Sequence, residues 1–163
     1  MLVLMYSLEL QSVYNLFTWN NFWHSLKLHA GRSRQFLCIL KKEIFMGHLS
    51  THVLDTMNGC PAAGMKVTLQ RVEGANFETL KTLTLNADGR NDGGPLLDAG
   101  SMAVGRYRLQ FDVAAYFRAR GAVLPDPAFI DVVPIDFGIA DAQGHYHVPL
   151  LVSPWTYSTY RGS

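Results

Sequence analysis

From residue 47 onward, apolar residues recur at every second position through most of the chain. In "MKVTLQRV" (65–72), Met65, Val67, Leu69 and Arg71 fall on one face, and Lys66, Thr68, Gln70 and Val72 on the other. A period of two marks a strand with one face on a core. "GRYRLQFDV" (105–113) repeats the pattern with Tyr107, Leu109, Phe111 and Val113 on one side. Between these strands, "FETLKTLTL" (77–85) follows the hairpin loop "EGAN", and a polar, Gly-rich loop, "NADGRNDGG" (86–94), comes next. "HLSTHVLDT" (48–56) is rich in β-formers and ends at the turn-rich "MNGCPAAG". "FIDVVPIDFGIA" (129–140) reads as a strand whose Pro134 requires an edge or a bulge, because proline has no N–H for a second ladder. "HYHVPLLVS" and "WTYSTYR" close the chain as two strands broken at Pro154.

The period changes once. "DVAAYFRARG" (112–121) has helical character, with Asp112 as N-cap and Gly121 where a C′ glycine belongs. Seven or eight strands at short spacing with a single short helix predict an all-β fold, an antiparallel β-sandwich.

Residues 1–46 do not continue this pattern. They are rich in aromatics and carry a net +3, whereas residues 47–163 carry −2. The segment holds no apolar run of the roughly 18 residues a membrane helix needs. It also lacks the basic start and small-residue cleavage site of a signal peptide. Two readings stay open: an appended amphipathic segment, or upstream sequence translated ahead of a true start at Met46. Either way the fold is expected in 47–163, with 1–46 outside it. The absence of an export signal points to the cytoplasm, with the periplasm as the alternative if 1–46 acts in export.

The chain of 163 residues has room for one domain with a real core. Its net charge of +1 gives no electrostatic case for nucleic acid, and no membrane partner is expected. The two cysteines, Cys38 and Cys60, fall one in each part, and read as two unpaired thiols of a reducing compartment, with one cross-segment disulfide as the alternative. The GxSxG, P-loop, GxGxxG and HExxH motifs are all missing.

The chemistry-bearing candidates are histidines and arginines. His145 and His147 in "HYH" project to the same face of a strand, with Tyr146 opposite. His52 sits mid-strand in "STHVLD", where an apolar residue is the usual occupant. Such imidazoles can serve as a general base near neutral pH. They can also ligate zinc, with His52, His145 and His147 as the set, or act as partly buried strand residues and nothing more. Arg90 in "ADGR" offers a planar fork of donors for an anionic or carbonyl-rich ligand. At the terminus, Trp155, Tyr157 and Thr159 share one strand face and Thr156, Ser158 and Tyr160 the other, a pattern that suits an interface or pocket wall better than open solvent.

The stretches "LSTHVLDTMNGCPAAGMKVTL", "TLNADGR" and "HYHVPLLVSPWTYSTYRGS", in that order, resemble the transthyretin-like 5-hydroxyisourate hydrolases. The terminal "YRGS" separates these hydrolases from the hormone carrier that shares their fold. Thr156 is a small departure from the residue many members carry before "YSTYRGS". The resemblance implies a transthyretin-like sandwich assembled as a homotetramer, a dimer of edge-to-edge dimers. It implies hydrolysis of 5-hydroxyisourate, the product of urate oxidation, to 2-oxo-4-hydroxy-4-carboxy-5-ureidoimidazoline, without cofactor or metal. The catalytic positions it implies are His52, Arg90, His147 and Ser163. The substrate-binding positions are His52, Arg90, Tyr160, Arg161 and Gly162. Which histidine is the base, and what His145 does, stay open. A non-enzymatic small-ligand carrier on the same fold is the alternative.

Overall fold

The computed structural model describes residues 47–162, so the segment 1–46 and Ser163 lie outside the described residues. Ten strands and one helix follow in chain order. They are β1 (His48–Ser50), β2 (Val53–Asp55), β3 (Cys60–Pro61), β4 (Lys66–Glu73), β5 (Asn76–Thr84), β6 (Gly105–Asp112), α1 (Val113–Ala119), β7 (Val132–Ile139), β8 (His145–His147), β9 (Leu150–Val152) and β10 (Tyr157–Thr159). Two four-stranded sheets, ordered β5-β4-β6-β7 and β10-β9-β2-β3, are joined by a two-stranded pair, β1-β8.

The alternation seen in the sequence builds the core. Tyr107, Leu109 and Phe111 on β6 and Val67 and Leu69 on β4 are buried in one cluster with Val53, Leu150 and Val152 of the other sheet. A fully buried side chain of this size contributes roughly 1.5–3 kcal/mol. β5 carries a bulge opposite Leu69 and Gln70, whose partners are Lys81 and Thr79. Leu80 is the extra residue, left half exposed. Pro134 lies on β7, which pairs only with β6, so its missing N–H costs no ladder bond to a second strand of the chain.

The helix ends as its sequence predicts and starts differently. At the C-terminus Gly121 takes φ +86°. Its N–H donates to Arg118 O and that of Ala122 to Phe117 O, both at 3.0 Å, a Schellman closure. At the N-terminus the Asp112 side chain makes no cap bond. The N–H groups of Val113 and Ala114 donate instead to the Asp131 carbonyl (3.0 and 2.9 Å), so the cap comes from a neighbouring loop.

The predicted strand 48–56 is two strands. β1 pairs parallel with β8 and β2 parallel with β9, and both partners break together between them. The Val148 and Leu150 N–H groups still donate to the Ser50 and His52 carbonyls across the break, at 3.0 and 2.9 Å, so what the ladder lacks there is a backbone donor to the Val148 carbonyl. The Thr51 hydroxyl donates to the Val148 carbonyl at 2.7 Å and satisfies it at the break. His52 therefore sits at the junction of two short strands rather than mid-strand, and this frees its side chain from a regular sheet face.

Asp55, at the end of β2, is a buried carboxylate with four donors. They are Met57 N (3.0 Å), Asn58 N (2.9 Å), Asn58 Nδ2 (2.7 Å) and the Tyr116 hydroxyl (3.0 Å). Burial alone would raise its pKa, but the Asn58, Tyr116 and Met57 hydrogen bonds hold it below the usual carboxylate range. Asp55→Ala strands several donors in the interior and is expected to cost about 3 kcal/mol, read as a lower urea midpoint. Because the folded pKa is depressed, the stabilisation is present above the unfolded aspartate pKa and is lost as pH falls through the folded value.

Candidate functional site

The β1–β8 register places His48 against His145 and Ser50 against His147. With side chains alternating, His48 and Ser50 share a face of the first chain segment, as His145 and His147 do of the second. The buried Leu49 and Tyr146 point the other way. The result is a polar strip. His48 and His145 stack with ring centroids 3.8 Å apart. Next, Ser50 Oγ lies 2.9 Å from His147 Nδ1. His52 and Arg90 follow.

Arg90 reaches this strip because its loop is pinned. Asn86 Oδ1 accepts from the backbone N–H of Asp88 (3.0 Å) and of Arg90 (2.9 Å). The Gly89 carbonyl accepts from Val53 N–H at 3.0 Å. Gly89 has φ +68°, and a Cβ there would run into the Val53 carbonyl, so the "DGR" turn requires its glycine. What reads in sequence as a flexible Gly-rich loop is a fixed platform at this point. From it the Arg90 guanidinium donates to His52 Nδ1 at 3.2 Å.

His147, Arg90, Ser50, His48, His145 and Asn91 line a cleft of about 490 Å³. The electrostatics lower the pKa of His147 and His145 in the cleft, and of His52 beside it. Burial first, then the Arg90 cation, then the other histidines push the His147 pKa below the ordinary imidazole value. Burial and Arg90 do the same to His52, with the Asp88 backbone carbonyl and charge acting in the opposite sense. Burial and the His48 charge lower that of His145.

Arginine has no acceptor, so the contact with Arg90 assigns the His52 tautomer. Its Nδ1 lone pair is taken by the guanidinium, and the ring proton sits on Nε2. His147 carries no such commitment to a cation. The two histidines therefore differ in what they can do, a distinction the sequence leaves open.

Among the described residues, the chain end meets the site at Gly162. Gly162 N–H donates to the His147 carbonyl at 2.9 Å. An added Cβ at Gly162 would sit 2.5 Å from His147 Cδ2 and 3.0 Å from its Cβ, so only glycine lets the tail lie against this imidazole. Gly162→Ala is expected to displace ring or tail and lower kcat by up to about 10²-fold, since misplacing a reacting group by 1 Å can cost that much. The melting temperature should stay close to that of the unmodified chain. Tyr160 and Arg161 take other positions. Tyr160 is largely exposed, and the Arg161 guanidinium sits 5.0 Å over the Tyr146 ring, toward the side of β8 opposite the histidines.

Among the described residues, no group of three or more His, Cys, Asp or Glu side chains is arranged to hold a metal ion. The zinc set His52, His145 and His147 is disfavoured by its own contacts: His52 spends a lone pair on a guanidinium, and His145 is stacked on His48. Sequence reasoning missed Ser50, His48 and Asn91. The signal for the first two was parity, since positions 48, 50 and 52 alternate together in "HLSTH".

A two-sheet β-sandwich carrying a histidine–arginine cleft is the architecture of a transthyretin-like protein. Residues 49–162 match the HIUase/Transthyretin family, and the chain belongs to it. It is 56% identical over 117 residues to 5-hydroxyisourate hydrolase 2 of Rhizobium meliloti, covering 72% of this chain and 97% of that one. It is 54% identical over 118 residues to 5-hydroxyisourate hydrolase of Pseudomonas aeruginosa, covering 72% and 93%. Among solved structures, Klebsiella pneumoniae 5-hydroxyisourate hydrolase superimposes with a TM-score of 0.59 at 40% identity, covering 71% of this chain and 99% of that one. Sea bream transthyretin in complex with thyroxine gives 0.61 at 26%, covering 70% and 93%.

Proposed function

We propose that this chain hydrolyses 5-hydroxyisourate, opening its six-membered ring in urate degradation. The observation that carries the reading is the presence of His147 and Arg90 in one polar cleft, with the Arg90 guanidinium bonded to His52. The 5-hydroxyisourate hydrolases that are 54–56% identical across nearly their whole length support it.

His147 is the better base. A neutral imidazole with a free lone pair takes a proton from water as the oxygen attacks a ring carbonyl. The C–N bond of the cyclic amide then breaks, the ring nitrogen leaves with the proton from the imidazolium, and the new carboxylic acid gives up its remaining proton to solvent to become the carboxylate. Arg90 stabilises the negative charge that develops on the attacked oxygen. His52 holds the guanidinium in place and stays neutral beside it, which a protonated imidazole would not do. Ser163, beyond the described residues, is kept in this reading as a further contributor at the chain end.

Tyr160 and Arg161 reach substrate only if another copy of the chain completes the site. A homotetramer supplies such a copy. Supporting it, β7 and β10 each terminate a sheet, and Trp155, Tyr157 and Tyr160 are 56%, 47% and 58% exposed beside the β10 edge. Unpaired edges with bare aromatics favour a partner strand over solvent. Among the described residues, no helix is long and apolar enough to cross a membrane; the cytoplasm is the proposed location.

A carrier on this fold is the competing reading, and a cleft of imidazoles and a guanidinium does not favour it, since carrier pockets are mostly apolar. Carbon-13 NMR of freshly generated substrate separates the two. The hydrolase reading expects the ring-opened carboxylate ahead of spontaneous decay. Saturable binding with no faster ring opening would refute it.

A further inference from the structure

His147 is held along two of its edges. Gly162 packs against Cβ, Cγ and Cδ2, and Ser50 Oγ meets Nδ1 at 2.9 Å. The edge left for the cleft is Cε1–Nε2. We propose that Ser50 is a positioning residue that fixes the His147 tautomer: its hydroxyl oxygen accepts from Nδ1–H, which leaves the Nε2 lone pair facing the cleft as the base. This deepens the hydrolase reading and rests on it.

The direction of the bond follows from what each alternative does. If Ser50 donated to Nδ1, the ring proton would sit on Nε2, and the nitrogen facing the cleft would be a donor with no lone pair to give. With Ser50 as acceptor, Nδ1–H keeps the same bond before and after Nε2 takes a proton. No hydrogen bond has to be remade during the step, and the bond strengthens as the ring becomes cationic.

The backbone fixes this geometry before any substrate arrives. Ser50 and His147 are register partners on β1 and β8. Val148 N–H donates to the Ser50 carbonyl at 3.0 Å, which locks the two strands at the contact. A hydroxyl also suits the site better than a carboxylate. The groups whose charge acts on His147 are Arg90, His145, His52 and His48. An anion here would pair with the Arg90 cation and favour a protonated His147, whereas a neutral acceptor sets the tautomer without adding charge.

Two readouts on the full chain test this assignment, with Ser50→Ala removing the acceptor and Ser50→Thr retaining it. Nitrogen-15 imidazole spectra of the unmodified protein should show His147 protonated at Nδ1, with Nε2 in its lone-pair form. Ser50→Ala should shift that population toward Nε2–H, and Ser50→Thr should restore it. In kinetics, Ser50→Ala should lower kcat roughly 3- to 10-fold, the worth of one hydrogen bond, with KM little changed. It should also move the acid limb of kcat/KM to lower pH, because a bond to the charged form is lost. A merely loosened, wetter site would move that limb the opposite way, toward the ordinary histidine value. A His147 proton on Nε2 in the unmodified protein, or a Ser50→Ala variant matching it in spectrum and pH profile, would overturn the assignment. Failure of the unmodified chain to turn substrate over would instead refute the hydrolase reading, and the nitrogen spectra would then decide the Ser50 bond alone.

Discussion

His147→Ala is expected to lower kcat by roughly 10²- to 10⁴-fold, the usual worth of a positioned general base. Stability should change far less. The imidazole is only half buried, its packing against Gly162 is peripheral to the core, and the one side-chain hydrogen bond it loses, to Ser50, is worth about 1 kcal/mol. The same residue governs the pH profile. Burial, Arg90 and the neighbouring histidines hold its pKa below the ordinary imidazole value of about 6.5. With His147 as the proposed base, it is neutral and available at pH 7, and kcat/KM should stay level until pH drops below that ordinary value. The sign for stability agrees. A histidine with a depressed folded pKa binds protons more readily when unfolded, so the fold loses stability as pH falls through the window between the two values. His147→Ala should abolish the acid limb of whatever turnover remains. Near-full activity in the variant, or a limb unchanged in position, would remove His147 from the mechanism.

Arg90→Gln is expected to cost about 10²- to 10³-fold in kcat, the range seen when one preorganised donor to a developing oxyanion is removed. It should also change the pH profile in a direction that no simple binding defect produces. The guanidinium is among the causes that depress both His52 and His147. Without it both pKa values rise, and the acid limb of kcat/KM should shift to higher pH. His52 loses the donor that assigned its tautomer, so His52→Ala should add little further damage in the Arg90→Gln background than in the unmodified chain. Arg90→Lys should restore charge without the fixed fork, recovering part of the pH shift and little of kcat. An Arg90→Gln enzyme with a full kcat and an unmoved limb would contradict the role assigned to the guanidinium.

Much of this was legible in the chain, for identifiable reasons. The face of Tyr107, Leu109, Phe111 and Val113 follows from period two alone, and all four are buried. Gly121 as the helix terminator follows from its freedom at positive φ. The Asp112 side chain makes no cap bond because an incoming carbonyl, that of Asp131, took the helix N–H groups, and a loop so far along the chain lies outside any local rule. The break in 48–56 shows only in its pairing with β8 and β9, nearly a hundred residues away, so the strand looked continuous. His52, Arg90 and His147 were found as candidates, and the fold brings His52 to Arg90. Their division of labour was not legible, because it depends on which nitrogen meets a donor with no acceptor. Ser50 was missed because a serine in a β-rich stretch is unremarked until the register shows what lies opposite it. Gly162 was placed by resemblance, and its physical reason, the space a Cβ would take from His147, appears only in three dimensions.

The most direct test of the central claim is the ultraviolet decay of freshly generated 5-hydroxyisourate, followed with and without the purified full-length chain. Loss of the signal is expected at a rate proportional to protein concentration, well above spontaneous decay, and close to the spontaneous rate with His147→Ala at the same concentration. Decay at the spontaneous rate with a folded, unmodified protein would contradict it.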